Sequence, residues 1–266
     1  MNTIYIILKQ MKKHGCIFLV LLLVFADSKS QNINTTNKSG PLGTSINTLT
    51  GNFFLKRTDM YNPGRLIDMD ITFNYNSFRT NLKRSYGSGW SFEYDIYYKT
   101  DTIPGRKIIV WGSGRNDKYD SVSTTAFHTP KGFYSALTAP EAGKLLLTDT
   151  DGWKYYFDNP THRRVTKIEE PNGNALTFNY VDTLLQSMIN TTGQTISFQY
   201  NAQGLLTKVT DETASPTIAY TYSYNAAGNL ITVTDPLGGT YRYTYLVNGP
   251  MKTMSDKNNN TVNIVY

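Results

Sequence analysis

The sequence predicts an all-β protein made of antiparallel β-hairpin repeats. The composition favours strands and turns, because Tyr and Gly each number 20 and only 17 % of residues are charged. Segments such as TIAYTYSY and TYRYTY alternate strictly between apolar and polar residues, which is the period of a strand with one buried face. A motif also recurs every 20 to 24 residues, which is typical of a repeat protein.

Residues 1–30 are predicted to be a signal peptide that is cleaved near Gln31. A basic segment with Lys9, Lys12 and Lys13 precedes the apolar run CIFLVLLLVF, and small residues follow it. The run is short for a membrane span, and a buried amino-terminal helix is the alternative interpretation. Cleavage removes four lysines, one aspartate and the only cysteine, which lowers the formal net charge from +6 to +3. We therefore expect a secreted or cell-surface protein that has no transmembrane anchor in its mature chain, no disulfide and no nucleic-acid partner.

The front of the mature chain is predicted to consist of two parts. Residues 31–44 are polar, contain Gly and Pro, and are predicted to be a flexible lead-in. Residues 45–144 are predicted to be an amino-terminal β domain. Within it IDMDITFNY alternates, with Ile67, Met69 and Ile71 on one face, while NPG and YGSGW are turn signals.

Residues 145–266 are predicted to be β-hairpin repeats. Five copies end in a column of tyrosines spaced by 20, 24, 21 and 21 residues: Tyr180, Tyr200, Tyr224, Tyr245 and Tyr266. The spacing of 24 falls at DETASPT, a proline-containing loop that lengthens one turn and leaves the flanking strands in phase. One hairpin cannot bury an aromatic face alone, so neighbouring hairpins must pair. We expect the tyrosines to form a ladder in the core; a sugar-stacking surface is the alternative.

Glycines mark the predicted turns between these strands. Three of them lie seven residues before a tyrosine of the column, and two lie four residues after one: Gly173, Gly193 and Gly238, then Gly204 and Gly228. The last segment, TVNIVY, is uncharged and β-branched, so we expect the strand that ends at Tyr266 to form the edge of the sheet. An edge of this composition is a template for self-association.

The copies YNAQGLL and YNAAGNL, at 200–206 and 224–230, resemble the YD repeat of Rhs and teneurin-type proteins. Asn201 and Asn225 stand where that repeat has Asp, and both residue types turn the chain. TGNFFLKRTDM, PGRLIDMDITFNYNS and YGSGWSF resemble the opening segment of many Rhs-repeat proteins. The resemblance covers about residues 45 to 266 and implies a spiral of hairpins that forms an open, shell-like sheet.

In bacterial members of this family the shell ends in a self-cleaving core motif, followed by a variable toxin. Neither is found before Tyr266, so we expect this chain to be a fragment of a longer protein or a truncated copy. The partners that the resemblance implies are further carboxyl-terminal repeats and an effector.

The sequence predicts no catalytic, cofactor-binding or metal-binding residues. The mature chain has two histidines, His128 and His162, both in turn-like or loop-like segments, and no GxSxG motif. DTDG at 149–152 begins like a calcium loop, but the later glutamate is absent, which favours a strand turn. The tryptophans are expected to pack between strands rather than to stack on sugars: Trp90, Trp111 and Trp153.

Three functions therefore compete. The first is an exported structural module, the first part of a β-shell that encloses or presents an effector. The second is a cell-surface module that binds glycans or a partner protein through aromatic residues. The third, a secreted hydrolase, is disfavoured because a nucleophile, a base and a metal site cannot be identified. Inward-facing tyrosines would favour the shell, and an exposed aromatic strip would favour binding.

Overall fold

A computed structural model describes residues 38–39, 45–47, 49–62, 67–82 and 84–266. The predicted signal peptide and most of the predicted lead-in lie outside these residues. The described residues form β-strands in three antiparallel sheets and one short 3-10 helix at Ser77–Arg79. No α-helix occurs among the described residues. They therefore contain no helix that is long and apolar enough to cross a membrane. The predicted all-β fold class is confirmed.

The first sheet, called the opening sheet, contains five strands in chain order. They are β1 (Lys38–Ser39), β2 (Ser45–Ile46), β3 (Phe53–Met60), β4 (Ile71–Asn76) and β5 (Trp90–Phe92). All six residues of β4 are buried, because β4 lies between β3 and β5 and both of its faces are covered. Its polar residues on one face are satisfied: Asn74 Nδ2 donates to Glu93 Oε2 at 2.5 Å, and the hydroxyls of Thr58 and Thr72 are 2.9 Å apart.

The second sheet contains four strands and connects the opening sheet to the repeats. They are β6 (Tyr97–Thr100), β7 (Lys107–Val110), β8 (Asn116–Ser121) and β9 (Phe127–His128). Single β-bridges join it to the next sheet, at Tyr97 with Arg164 and at Ala126 with Thr138.

The third sheet, called the repeat sheet, contains 13 strands, each hydrogen-bonded to the next in chain order. They are β10 (Ala136–Thr138), β11 (Leu145–Thr148), β12 (Lys154–Phe157), β13 (Lys167–Glu169), β14 (Ala175–Val181), β15 (Leu184–Asn190), β16 (Thr195–Tyr200), β17 (Leu206–Asp211), β18 (Ile218–Tyr224), β19 (Leu230–Thr234), β20 (Thr240–Tyr245), β21 (Met251–Ser255) and β22 (Thr261–Asn263). The sheet thus begins with β10, ahead of the boundary at residue 145. Within the described chain β22 pairs only with β21, so it forms one edge.

The turns of the repeat sheet share one hydrogen-bonded form. In the turn that begins at Asn225, the backbone N–H of Asn225 donates to Asn229 O at 3.0 Å, and the N–H of Gly228 donates to Asn225 O at 2.9 Å. The Asn225 side-chain oxygen accepts the N–H groups of Ala227 and Asn229, both at 3.0 Å. The same pattern begins at Asp149, Asn190, Asn201, Asp235 and Asp256. An Asp or Asn at the first position therefore closes each of these six turns with its own side chain, whereas the turns that begin at Glu170 and Leu246 have the same backbone bonds without an Asp or Asn.

The predicted turn glycines all have left-handed backbone angles. Their φ values are 90° at Gly173, 83° at Gly193, 74° at Gly204, 79° at Gly228 and 84° at Gly238. Steric crowding does not explain why position 228 is a glycine, since a Cβ at Gly228 would meet no atom within 4 Å. The positive φ explains it, because this backbone region is strained for residues with a Cβ. Asn259 takes the same place in the last turn, with φ 63°.

Candidate functional site: the interface between the opening sheet and the repeat sheet

The predicted tyrosine column lies on the face of the repeat sheet that packs against the core. The rings of Tyr180, Tyr200, Tyr224 and Tyr245 are half-buried and contact the core cluster. The hydroxyl of Tyr200 donates to Leu185 O at 2.9 Å, and that of Tyr245 to Leu230 O at 2.8 Å. Each of these two tyrosines is therefore fixed by the backbone of the preceding hairpin.

A β-bulge explains why these tyrosines are only half-buried. The register between paired strands shifts immediately before Tyr180, Tyr200, Tyr224 and Tyr245. A bulge bends the strand and re-aims the side chain. The deeply buried aromatic column lies two residues earlier: Phe178, Phe198, Tyr222 and Tyr243. The sequence itself indicates that this column is the more deeply buried one, because two of its four members are phenylalanine, which has no hydroxyl group that needs a hydrogen-bond partner.

Tyr266 departs from the prediction. Strand β22 ends at Asn263, and the last backbone bond to β21 runs from Ile264 N to Lys252 O. Tyr266 therefore lies beyond the strand and is 51 % exposed. Burial of part of the ring still raises the pKa of its phenol to about 12.

A buried ion pair stands at the centre of the interface. Arg57 on β3 donates from Nε to Asp59 Oδ1 at 2.5 Å and from a terminal nitrogen to Asp59 Oδ2 at 2.9 Å. Their side chains are 9 % and 1 % exposed. Burial lowers the pKa of Arg57, but the adjacent carboxylate of Asp59 outweighs that effect, so the pKa lies above its usual value and the group stays charged.

Two tyrosines of the repeat sheet complete this ion pair. Tyr222 OH donates to Asp59 Oδ2 at 2.8 Å, and Arg57 donates to Tyr243 OH at 3.0 Å. The Arg57 guanidinium also lies 4.7 Å from the ring centre of Trp90. Residues from β3, β5, β18 and β20 thus form one buried polar network across the two sheets.

Further hydrogen bonds between the two sheets surround this network. Trp90 Nε1 donates to Tyr245 OH at 3.0 Å, and Met251 N donates to Tyr75 OH at 2.7 Å. Leu206 N donates to Ser85 O at 2.7 Å. Asn62 bonds to the repeat sheet twice, because it donates to Asp211 Oδ2 at 3.0 Å and accepts from Gln194 Nε2 at 2.6 Å. The repeats are therefore bonded to the opening sheet from β15 to β21.

The residues of a second charged cluster line a cleft of about 1290 Å³ beside this interface. Asp95 is buried and bonds to Arg84 at 2.6 Å and to Arg164. Arg84 also donates to Tyr97 OH at 2.5 Å, so the cluster joins the opening sheet, the second sheet and the loop before β13.

The remaining residues singled out in the sequence do not converge on one catalytic centre. His128 lies on β9 and is exposed. His162 lies in the loop before β13, 4.9 Å from the ring of Tyr180, where burial and Arg164 lower its pKa. The Asp149 carboxylate closes a turn, and no three His, Cys, Asp or Glu side chains in the described chain could together hold a metal ion. Of the tryptophans, only Trp90 is fully buried, while Trp111 and Trp153 are half-buried.

Together, the fold and this interface define a β-hairpin repeat protein whose repeats are bonded to a dedicated opening sheet. Comparison with protein families agrees with this class. Residues 43–119 match a domain of unknown function, DUF6531, and residues 182–216 and 217–245 each match the RHS repeat. The chain belongs to the RHS repeat family, with an amino-terminal DUF6531 domain. None of the curated proteins matches the sequence.

Proposed function

We propose that this chain is an exported structural module that forms the first part of a β-shell, and that the shell encloses or presents a carboxyl-terminal effector. The observation that carries the proposal is the buried polar network from Arg57 to Tyr243, which joins the opening sheet to the inner face of the repeats. An opening sheet held in this way would close the start of a shell. Each further hairpin would extend its wall by two strands in the same register. The chain itself would catalyse no reaction.

The orientation of the tyrosines supports the shell over binding by the tyrosine column. Four of the five rings are half-buried and pack against the core cluster, whereas the rings of a binding strip would be exposed to solvent. The proposed partners are therefore further repeats of the same protein and an effector.

The coding region beyond codon 266 and a protease assay test this proposal. We expect further hairpin repeats in frame, followed by a domain of different composition. In the full-length protein that domain should resist added protease until the shell is unfolded. A stop codon directly after Tyr266, or a downstream domain that is digested as fast in the assembled protein as alone, would contradict the proposal.

The proposed location is outside the cytoplasm, through a signal peptide cleaved near Gln31. Amino-terminal sequencing of the exported protein tests this step separately. A mature product that begins at Met1 or Met11 would contradict it.

A further inference from the structure

The cleft of about 1290 Å³ beside the interface is large enough to hold a segment of polypeptide. Its walls are the loop between the 3-10 helix and β5, the start of β6, and the turns of the repeat sheet at 182–184, 201–205 and 225–228. Pockets for small molecules usually measure about 300–1000 Å³, so this cleft exceeds what a single small ligand fills. We call it the arginine cleft, after Arg84 and Arg164 on its wall.

Three arginines surround one buried carboxylate at this cleft. Arg84 and Arg164 both bond to Asp95, whose side chain is only 3 % exposed. Arg79 lies close to them, because burial, followed by the like charge of Arg84, lowers its pKa, and the opposing effects of Tyr97 and Asp95 offset this only in part. Arg79 forms no ion pair with any residue that the structure describes. The group therefore carries two positive charges in excess of its carboxylate, and partial burial leaves them less screened by salt than exposed charges.

The two arginines on the wall have N–H donors to spare. An arginine side chain has five N–H groups. Arg84 donates to Asp95 at 2.6 Å and to the Tyr97 hydroxyl at 2.5 Å, and Arg164 donates to Asp95. The Nε atom of Arg164 is buried and has no hydrogen-bond partner in the described chain. A buried donor without an acceptor costs free energy, so a ligand that brings acceptors would stabilise this cluster.

The remainder of the wall adds further hydrogen-bond donors. Asn201 and Asn225 use their side-chain oxygens to close their own turns, which leaves their Nδ2 groups without a partner in the described chain. The second carboxylate on the wall, that of Asp182, lies in an exposed turn, where solvent screens its charge. A ligand that matches the cleft is therefore rich in acceptor oxygens and carries few negative charges.

We propose that the arginine cleft binds an acidic peptide segment, with one carboxylate seated on Arg84 and Arg164. A carboxylate accepts paired hydrogen bonds from a planar guanidinium group, and the backbone carbonyls of the segment accept from Asn201 and Asn225. A nucleic acid matches less well, because it carries a phosphate at every nucleotide and the wall has one cationic group rather than a basic stripe. This inference does not depend on the shell proposal, since an acidic segment of any partner would meet the same groups.

Fluorescence anisotropy of labelled probes mixed with the mature chain provides the test. The probes are a peptide of six glutamates, a peptide of six glutamines and a thymidine hexanucleotide. We expect hexaglutamate to bind saturably and more weakly as salt is raised, and hexaglutamine to bind about ten-fold more weakly or not at all. If hexaglutamate does not saturate the protein, if hexaglutamine binds equally well, or if the hexanucleotide binds more tightly, the inference is wrong.

Two matched glutamine variants separate binding in the cleft from attraction to the net positive charge of the chain. Gln203 lies on the cleft wall in an exposed turn, and Gln199 is an exposed residue four positions earlier that does not line the cleft. Gln203→Glu should weaken hexaglutamate binding about three-fold or more through like-charge repulsion, whereas Gln199→Glu changes the net charge equally and should have no effect. Equal affinities of the two variants would overturn the assignment to this cleft.

Two arginine variants test the contact itself. Arg164→Gln leaves Asp95 bonded to Arg84, so the fold should survive, and affinity for hexaglutamate should fall about ten-fold. Arg242→Gln removes an exposed arginine outside the cleft, so affinity should not change. Saturating hexaglutamate should also raise the Tm of the unmodified protein more than that of Arg164→Gln. Equal affinities of the two arginine variants would refute the contact, and if Arg164→Gln does not fold, the comparison of the two glutamine variants decides.

Discussion

Removal of Asp59 is the sharpest test of the buried network. Asp59 accepts two hydrogen bonds from Arg57 and one from Tyr222, and both charged side chains are at most 9 % exposed. The Asp59→Ala variant leaves the Arg57 charge buried without its partner, which costs about 3–5 kcal/mol. For a chain of this size that corresponds to a fall of roughly 6 to 20 °C in Tm.

An all-apolar variant separates lost pairing from lost packing. It combines Arg57→Met, Asp59→Leu, Tyr222→Phe and Tyr243→Phe, which removes every charge and hydroxyl of the network and keeps similar volumes. We expect it to be more stable than Asp59→Ala, because no polar group is left buried without a partner. The measurement is urea unfolding of the mature chain, followed by tryptophan fluorescence and circular dichroism. A loss below about 1 kcal/mol for Asp59→Ala, or an all-apolar variant that is no more stable, would refute the reasoning.

Three further predictions concern the turns, the sheet edge and the tyrosines. Asn225→Ala removes an acceptor of two backbone N–H groups and should cost about 1–2 kcal/mol in urea unfolding, whereas Asn225→Asp keeps the acceptor and should cost little. Thr261→Lys with Asn263→Lys places charges at exposed positions of edge strand β22 and should reduce self-association in sedimentation without loss of Tm; unchanged association would show that the edge is not the contact. Burial raises the pKa of Tyr224 and its neighbours in the column far above the ordinary value of 10.0. The contribution of these neutral phenols to the free energy of unfolding is therefore fully present below pH 10 and should be lost as pH rises above it, because the unfolded chain ionises first. Circular dichroism and tyrosinate absorbance should then change together; full ionisation with the fold intact would contradict this.

The all-β class, the repeat period and the turns could be predicted from the sequence because they are local properties. Alternation of polar and apolar residues sets which face of a strand is buried, and Asn225 or Gly228 specifies a turn through its own backbone and side chain. The resemblance of YNAQGLL and YNAAGNL to a repeat family depends on the same local chemistry. Such features need no knowledge of which distant strands meet.

Only the tertiary structure decided how far each tyrosine is buried and what it contacts. The bulge before Tyr224 depends on the register of two paired strands, and its effect is to make Tyr222 rather than Tyr224 the core residue. The meeting of Arg57 with Tyr243, 186 positions apart, depends on how two sheets pack. A pattern along the chain determines the face to which a side chain points. Its partner on that face depends on the packing of segments that are remote in sequence, which no local pattern encodes.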